Sequence, residues 1–203
     1  MSPRPAVPLR HLLLLAIFLW PLSATAVEWI GTIVGIADGD TLTLLDGGKA
    51  THRIRIDGID APERTQPYGQ RARQSLADLA HGRSARAECL KSDRYGRALC
   101  RVLVDGVDVG LEQVRRGLAW HYTKYAHEQS PQARVDYAQA EQQARAARAG
   151  LWTFTAPTPP WDYRRGQAAR TETRQVGFSR RGRRSARSQS VPPAAPSMRG
   201  RRR

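Results

Sequence analysis

Cysteine is scarce, with two in 203 residues, which excludes a disulfide-dense miniprotein and a four-thiolate zinc site. No apolar run approaches 20 residues, so an ordinary membrane-spanning helix is excluded. Acidic residues are also short, 18 against 33 Lys and Arg, leaving a formal charge of +15. That deficit points to a polyanionic partner without defining fold or chemistry. The length admits one ordinary domain, or one domain and a tail.

The positive charge is unevenly placed. Residues 1–26 read as a signal peptide. Arg4 and Arg10 give the basic start, Leu12 to Trp20 is a nine-residue apolar stretch too short to span, and Ala24-Thr25-Ala26 has the small-x-small form of a cleavage site. The competing reading is an uncleaved anchor, against which Pro21 and the short run argue. Residues 27–163 hold 18 Lys and Arg against 17 Asp and Glu, whereas residues 164–203 hold 13 Arg against the single acid Glu172. The tail, 165–203, has too few apolar residues to offset the entropy of ordering and is expected to be disordered. It reads as an arm for nucleic acid or an anionic envelope surface, since guanidinium groups grip phosphate in two-point fashion. A solubilising appendage is the bland alternative. The folded domain is therefore expected over 27–164, in a protein exported to the periplasm or secreted.

Within that domain, Val27 to Ile36, Thr41 to Leu45 and His52 to Ile56 read as strands, and residues 57–67 as a loop. Ala72, Leu76, Leu79 and Ala80 fall at helical spacing between Gly69 and Ala80. Ala85 to Leu90 and Ala98 to Val104 form a strand pair around the turn Asp93 to Gly96. Asp108 can cap a short helix carrying Leu111 and Val114. Ser130-Pro131 opens a longer helix with Tyr137, Ala140, Ala144 and Ala147 on one face. Pro159-Pro160 reads as extended chain, with Trp161 and Tyr163 able to pack back on the body. Five strands with most helices after them suit an α+β, mainly β, fold: a small five-stranded barrel capped by helices rather than alternating βαβ units. Cys89 and Cys100 lie symmetrically about the hairpin turn and either face one another as a disulfide, in an oxidising compartment, or remain buried thiols.

Four segments carry candidate chemistry: Asp38-Gly39-Asp40-Thr41, Arg55 with Asp60-Ala61-Pro62-Glu63, Asp93-Arg94-Tyr95-Gly96-Arg97, and Gly117-Leu118-Ala119-Trp120. Asp40 and Asp60 offer carboxylates at strand ends, which with a backbone carbonyl can hold a hard cation such as calcium. Glu63, three residues on and past a proline, can point into the same cleft. Arg55 and Arg97 suit a phosphate gripped from two sides. Tyr95, Tyr122 and Tyr125, with Arg94, are candidates for substrate contact, because every base offers a π-face. Tyr122 and Tyr125 read equally as packing, and Trp120 as packing. His121 and His127 lack partners at ligand spacing and read as surface histidines rather than zinc ligands.

In this combination, from about Val34 to Trp152, the sequence resembles the staphylococcal-nuclease (thermonuclease) family. Val114-Arg115-Arg116-Gly117-Leu118-Ala119 and Gly150-Leu151-Trp152 belong to the likeness. The resemblance implies an OB-fold barrel with three helices and calcium-dependent cleavage of DNA and RNA with little sequence preference. It also implies that Asp40, Asp60 and the carbonyl of Ala61 bind Ca2+, that Glu63 acts through water as general base, and that Arg55 and Arg97 contact the phosphate. The substrate partner is then nucleic acid, and nothing demands more than a monomer. Two alternatives remain: a non-catalytic nucleic-acid-binding barrel of the same fold, and a structural envelope protein whose tail binds anionic polymer or lipid.

Overall fold

The structure, a computed structural model, describes residues 27–169. The expected signal peptide and the tail beyond residue 169 lie outside the described residues. Strands β1 (Val27–Ile36), β2 (Thr41–Asp46) and β3 (Thr51–Ile56) form an antiparallel meander. β4 (Ile59–Asp60) and helix α1 (Gly69–Ala80) follow. Then come β5 (Ser84–Ser92), β6 (Ala98–Val104), β7 (Val107–Asp108) and helix α2 (Val109–Arg115). β8 (Trp120–His121), a 3-10 turn Thr123–Glu128, helix α3 (Pro131–Ala146), a second 3-10 turn Gly150–Thr153 and helix α4 (160–169) complete the order.

β1 pairs with both β2 and β5, and β5 with β6. A parallel pairing of β3 with β6, Arg55 opposite Leu99, closes the sheet. The result is the five-stranded OB-fold barrel of an α+β domain, which leaves the principal strands without a long free edge. Ile33, Leu42, Leu44, Ile54, Ile56, Val102 and Val104 fill its interior. Along β3 they alternate with the outward Arg53 and Arg55, so a period-2 pattern both forms the strand and places the core, whereas β6 ends in the buried run Val102-Leu103-Val104.

The helices cover the barrel. α1 buries Ala72, Leu76 and Ala80 on one face. Asp108 caps α2 by accepting from Gly110 N and Leu111 N, and also accepts from the buried Tyr137 hydroxyl of α3. Burial, and next the neighbouring Asp108 carboxylate, raise the Tyr137 pKa. Ser130 Oγ accepts from Ala133 N at the start of α3. Ala147, expected on the buried face of α3, is instead exposed at its C-cap, because the helix ends one residue earlier. A second apolar cluster, Trp120, Ala144, Leu151 and Trp152, lies outside the barrel with Tyr68 and Trp161 against it.

Three further features depart from the sequence reading. Residues 59–60 are not loop but a strand pairing with β8, Asp60 opposite Trp120. Of the two prolines expected in extended chain, Pro160 instead opens a helix over 160–169, so the boundary drawn at residue 164 falls inside that helix and residues 165–169 continue it; Pro160 has the fixed φ that suits a first helical turn. His121 is buried rather than on the surface, its Nε2 2.9 Å from Gln129 Oε1. Cys89 and Cys100 are opposite one another in the β5–β6 ladder and form a disulfide. Among the described residues no helix is long and apolar enough to cross a membrane.

Candidate active site

The site is assembled at one end of the barrel by three chain reversals. In the β1–β2 turn, Asp38 Oδ1 accepts from Asp40 N, the turn-capping role open to Asp38. Gly39 is required there: a Cβ would stand 2.6 Å from the Ala72 Cβ and 2.7 Å from the Ala61 Cβ. The buried Gln113 side chain of α2 donates to both Gly39 O and Ala72 O at 2.9 Å, tying the turn to α1.

The second reversal is the β3–β4 connection, and β4 pairing with β8 fixes Asp60. The third is the β5–β6 turn, where Asp93 Oδ1 accepts from Tyr95 N and Arg97 N. Asp93 Oδ2 takes the Arg97 guanidinium at 2.7 Å. Slight burial would raise the Asp93 carboxyl, but the Arg97 backbone and side-chain donors outweigh it and hold the pKa below its usual range. Arg97 also reaches Thr41 Oγ1 at 3.4 Å, past the intervening strand β3.

These reversals line a cleft of about 910 Å³. Asp40, Arg55, Ala61, Glu63, Arg94, Tyr95, Arg97, Tyr122 and Tyr125 all face it, whereas Asp60 has no exposed surface and lies beneath the lining, tied to it by Arg55 and Arg164. Tyr95 is 70% exposed and Tyr125 42%, so neither ring is core packing. Tyr95 is flanked by the guanidinium groups of Arg94 and Arg97, 5.3 and 5.6 Å from its ring centroid. Tyr122 is half-buried against Trp161 and edge-on to Tyr125. Trp120 packs edge-on against Trp152 and Trp161. His127 is exposed and takes no part.

Carboxylates and guanidinium groups alternate across the floor. Arg55 donates to Asp40 Oδ1 at 2.9 Å and to Asp60 Oδ1 at 2.8 Å. Arg164, from α4, donates to Asp60 Oδ2 at 2.7 Å and to Glu63 Oε1 at 2.7 Å. Asp40 Oδ2 accepts from Ala61 N at 2.9 Å. Burial raises the Asp40 pKa, Arg55 opposing it. Burial likewise works against the charge of Arg55, but Asp40 and Asp60 more than offset it and its pKa rises.

The donor set is oxygen only, and two of its three carboxylates are buried, the chemistry of a site for a hard divalent cation rather than a soft one. Among the described residues no group of three His, Cys, Asp or Glu side chains is arranged to hold a metal directly. Instead, the oxygens of Asp40, Asp60 and Glu63 are engaged by Arg55 and Arg164. The positive charge that the carboxylates hold between them is that of these two guanidinium groups.

Two contributors escape the sequence motifs. Gln113 sits on the buried face of α2, four residues after Val109, and a polar residue at an apolar spacing was its only signal. Arg164 had none, since its approach to Asp60 depends on how α4 folds back.

A closed five-stranded barrel with a charged, tyrosine-walled cleft at its mouth is the OB-fold class of nucleic-acid-binding architecture. Residues 53–154 match the family described as staphylococcal nuclease homologue, and the chain belongs to that family. It is similar to an uncharacterized endonuclease of Haemophilus influenzae, 38% identical over 133 residues covering 66% of this chain and 71% of that protein. An uncharacterized endonuclease of Escherichia coli O157:H7 is 39% identical over 153 residues, 75% of this chain and 94% of that protein. A probable staphylococcal-like nuclease of Oryza sativa subsp. japonica is 41% identical over 114 residues, 56% of this chain and 33% of the longer plant protein.

Proposed function

We propose that this enzyme, a nuclease of the endonuclease type by its family and its relatives' names, is an exported, calcium-dependent hydrolase of DNA and RNA phosphodiester bonds with little sequence preference. The observation that carries the reading is the cluster of Asp40, Arg55 and Glu63 lining one cleft, with Asp60 buried directly behind Arg55 and with Arg97 and three tyrosines around it. Such a cleft recognises backbone charge and a base face, and neither differs much between sequences.

Asp40, Asp60 and the carbonyl of Ala61 would hold the cation. When bound, calcium supplies Lewis acidity that withdraws charge from a phosphate oxygen. Glu63 takes the proton of the attacking water, acting from the half-exposed side of the floor where water can reach it. Arg55, fixed between two carboxylates, needs no reorganisation to donate to the phosphoryl oxygens. Arg97, held by Asp93, does the same from the start of the neighbouring strand β6. Preorganised donors of this kind are each worth on the order of 3–4 kcal/mol of transition-state stabilisation. Tyr95 and Tyr125 stack on bases, with Tyr122 behind them and Arg94 beside a phosphate.

Export is supported by the pattern of residues 1–26 and suits the Cys89–Cys100 disulfide, which belongs to an oxidising compartment. The Arg-rich tail adds phosphate contacts, and the unit acts as a monomer.

Zymograms on DNA and on RNA, with calcium or with chelator, test the proposal together with Glu63→Gln. Clearing that depends on calcium is expected, and Glu63→Gln should lower kcat by about 10²–10⁴-fold with KM little changed. Clearing that persists in chelator removes calcium from the mechanism. A Glu63→Gln kcat within about twofold of wild type removes Glu63 as the base.

A further inference from the structure

Arg164 holds carboxylates that the proposed ion would also need. One guanidinium nitrogen donates to Asp60 Oδ2 at 2.7 Å, and the other to Glu63 Oε1 at 2.7 Å and Asp60 Oδ1 at 3.2 Å. With Arg55 on Asp60 Oδ1 as well, both oxygens of a carboxylate with no exposed surface are taken by positive groups. A monovalent, planar cation therefore bridges Asp60 and Glu63.

The contact is built, not incidental. Helix α4 reaches the site through its own anchorage: Pro160 is buried, Trp161 lies 5.6 Å from Tyr122 and 6.4 Å from Trp120 by ring centroids, and the Tyr163 hydroxyl meets Thr65. The Gln66 side chain donates to Thr158 O. Thr65 and Gln66 belong to the same loop as Glu63, so the segment that delivers Arg164 also braces the residue it binds. Tethering of this kind gives the guanidinium a high effective concentration at the carboxylates.

The two arginines differ in how readily they can leave. The Arg55 side chain is 17% exposed and sits between two buried carboxylates, whereas the Arg164 side chain is 43% exposed and enters from the rim. Solvent screening weakens an exposed ion pair, so Arg164 is the more readily displaced of the two.

We propose that Arg164 is a built-in counter-cation that holds Asp60 and Glu63 in place and competes with the divalent ion for them, thereby setting the affinity of the site. The inference rests on the calcium reading of that site. It makes α4 a regulatory element of the catalytic cleft, lying directly before the Arg-rich tail.

Calcium titration by isothermal calorimetry, on the full chain lacking residues 1–26, tests it. Arg164→Gln is expected to bind calcium about 10- to 100-fold more tightly than wild type, because a competitor filling the site lowers apparent affinity by the fraction of open sites. Trp161→Ala, which undocks α4 but keeps the charge, should tighten binding in the same direction. Arg83→Gln, whose side chain pairs with Asp105 away from the site, should stay within about twofold, since distant surface charge is screened. Asp60→Asn separates the two ideas. If wild type binds calcium, Asp60→Asn does not, and Arg164→Gln equals or falls below wild type, the counter-cation role is overturned and the ion site stands. If Asp60→Asn binds as wild type does, or neither wild type nor Arg164→Gln binds, the ion site and the counter-cation fall together.

Discussion

Replacing Arg55 with Gln removes the guanidinium that bridges Asp40 and Asp60. Asp60 keeps Arg164, but Asp40, 3% exposed, is left with only the Ala61 N–H and the Thr41 hydroxyl. Removing one partner of a buried ion pair typically costs about 3–5 kcal/mol, because the other charge stays buried and uncompensated. Since Arg164 still serves Asp60, the lower end applies, and about 3 kcal/mol corresponds to a fall in Tm of about 6–12 °C. The pH dependence has a definite sign. The folded-state pKa of Asp40 is already raised by burial, against the pull of Arg55, and losing Arg55 raises it further. A carboxyl with a raised folded pKa is destabilising when ionised, above that pKa, and the cost disappears as it protonates. The stability gap between Arg55→Gln and wild type should therefore narrow as pH falls through the Asp40 pKa. Urea denaturation in chelator, at several pH values, measures this. Adding Asp40→Asn to Arg55→Gln should recover most of the loss. A loss below about 1 kcal/mol at neutral pH, or no recovery in the double variant, would refute the account of Asp40 as a buried charge balanced by Arg55.

Two further outcomes are expected. Gly117 has φ 64°, and a Cβ there would stand 2.2 Å from Ala149 O. Gly117→Ala should lose at least about 2 kcal/mol in urea denaturation; a loss under about 0.5 kcal/mol would mean that the Gly117–Ala149 approach relaxes freely. Deleting residues 170–203 should flatten the salt dependence of single-strand affinity by a slope of about 4, if the tail covers about six phosphates, with kcat at saturating substrate unchanged; an unchanged slope makes the tail a bystander.

How much was legible in advance follows the range of the forces involved. The long strands of the barrel were readable because alternation of apolar and polar residues is local and has period 2. The caps of α2 and α3 were readable because Asp108 and Ser130 act on N–H groups two or three residues away. The turn holding Arg97 was visible in Asp93-Arg94-Tyr95-Gly96 for the same reason. β4 and β8 were not readable, since two-residue strands carry no period and exist only because Ile59 and Asp60 meet Trp120 and His121. The burial of His121 is equally a product of distant chain, set by Gln129 and Tyr137.

The sequence by itself determined which residue types were available to the cleft, and through resemblance their order along the chain. Only the tertiary structure decided that Asp40, Arg55 and Glu63 meet at one cleft with Asp60 behind them, because the parallel β3–β6 pairing closes the barrel and the separate β4–β8 bridge fixes Asp60. Arg164 marks the difference most clearly. Its ion pair with Asp60 joins residues 104 apart in sequence, and that proximity arises from Trp161 and Tyr163 packing α4 against the site, long-range contacts that no local pattern encodes.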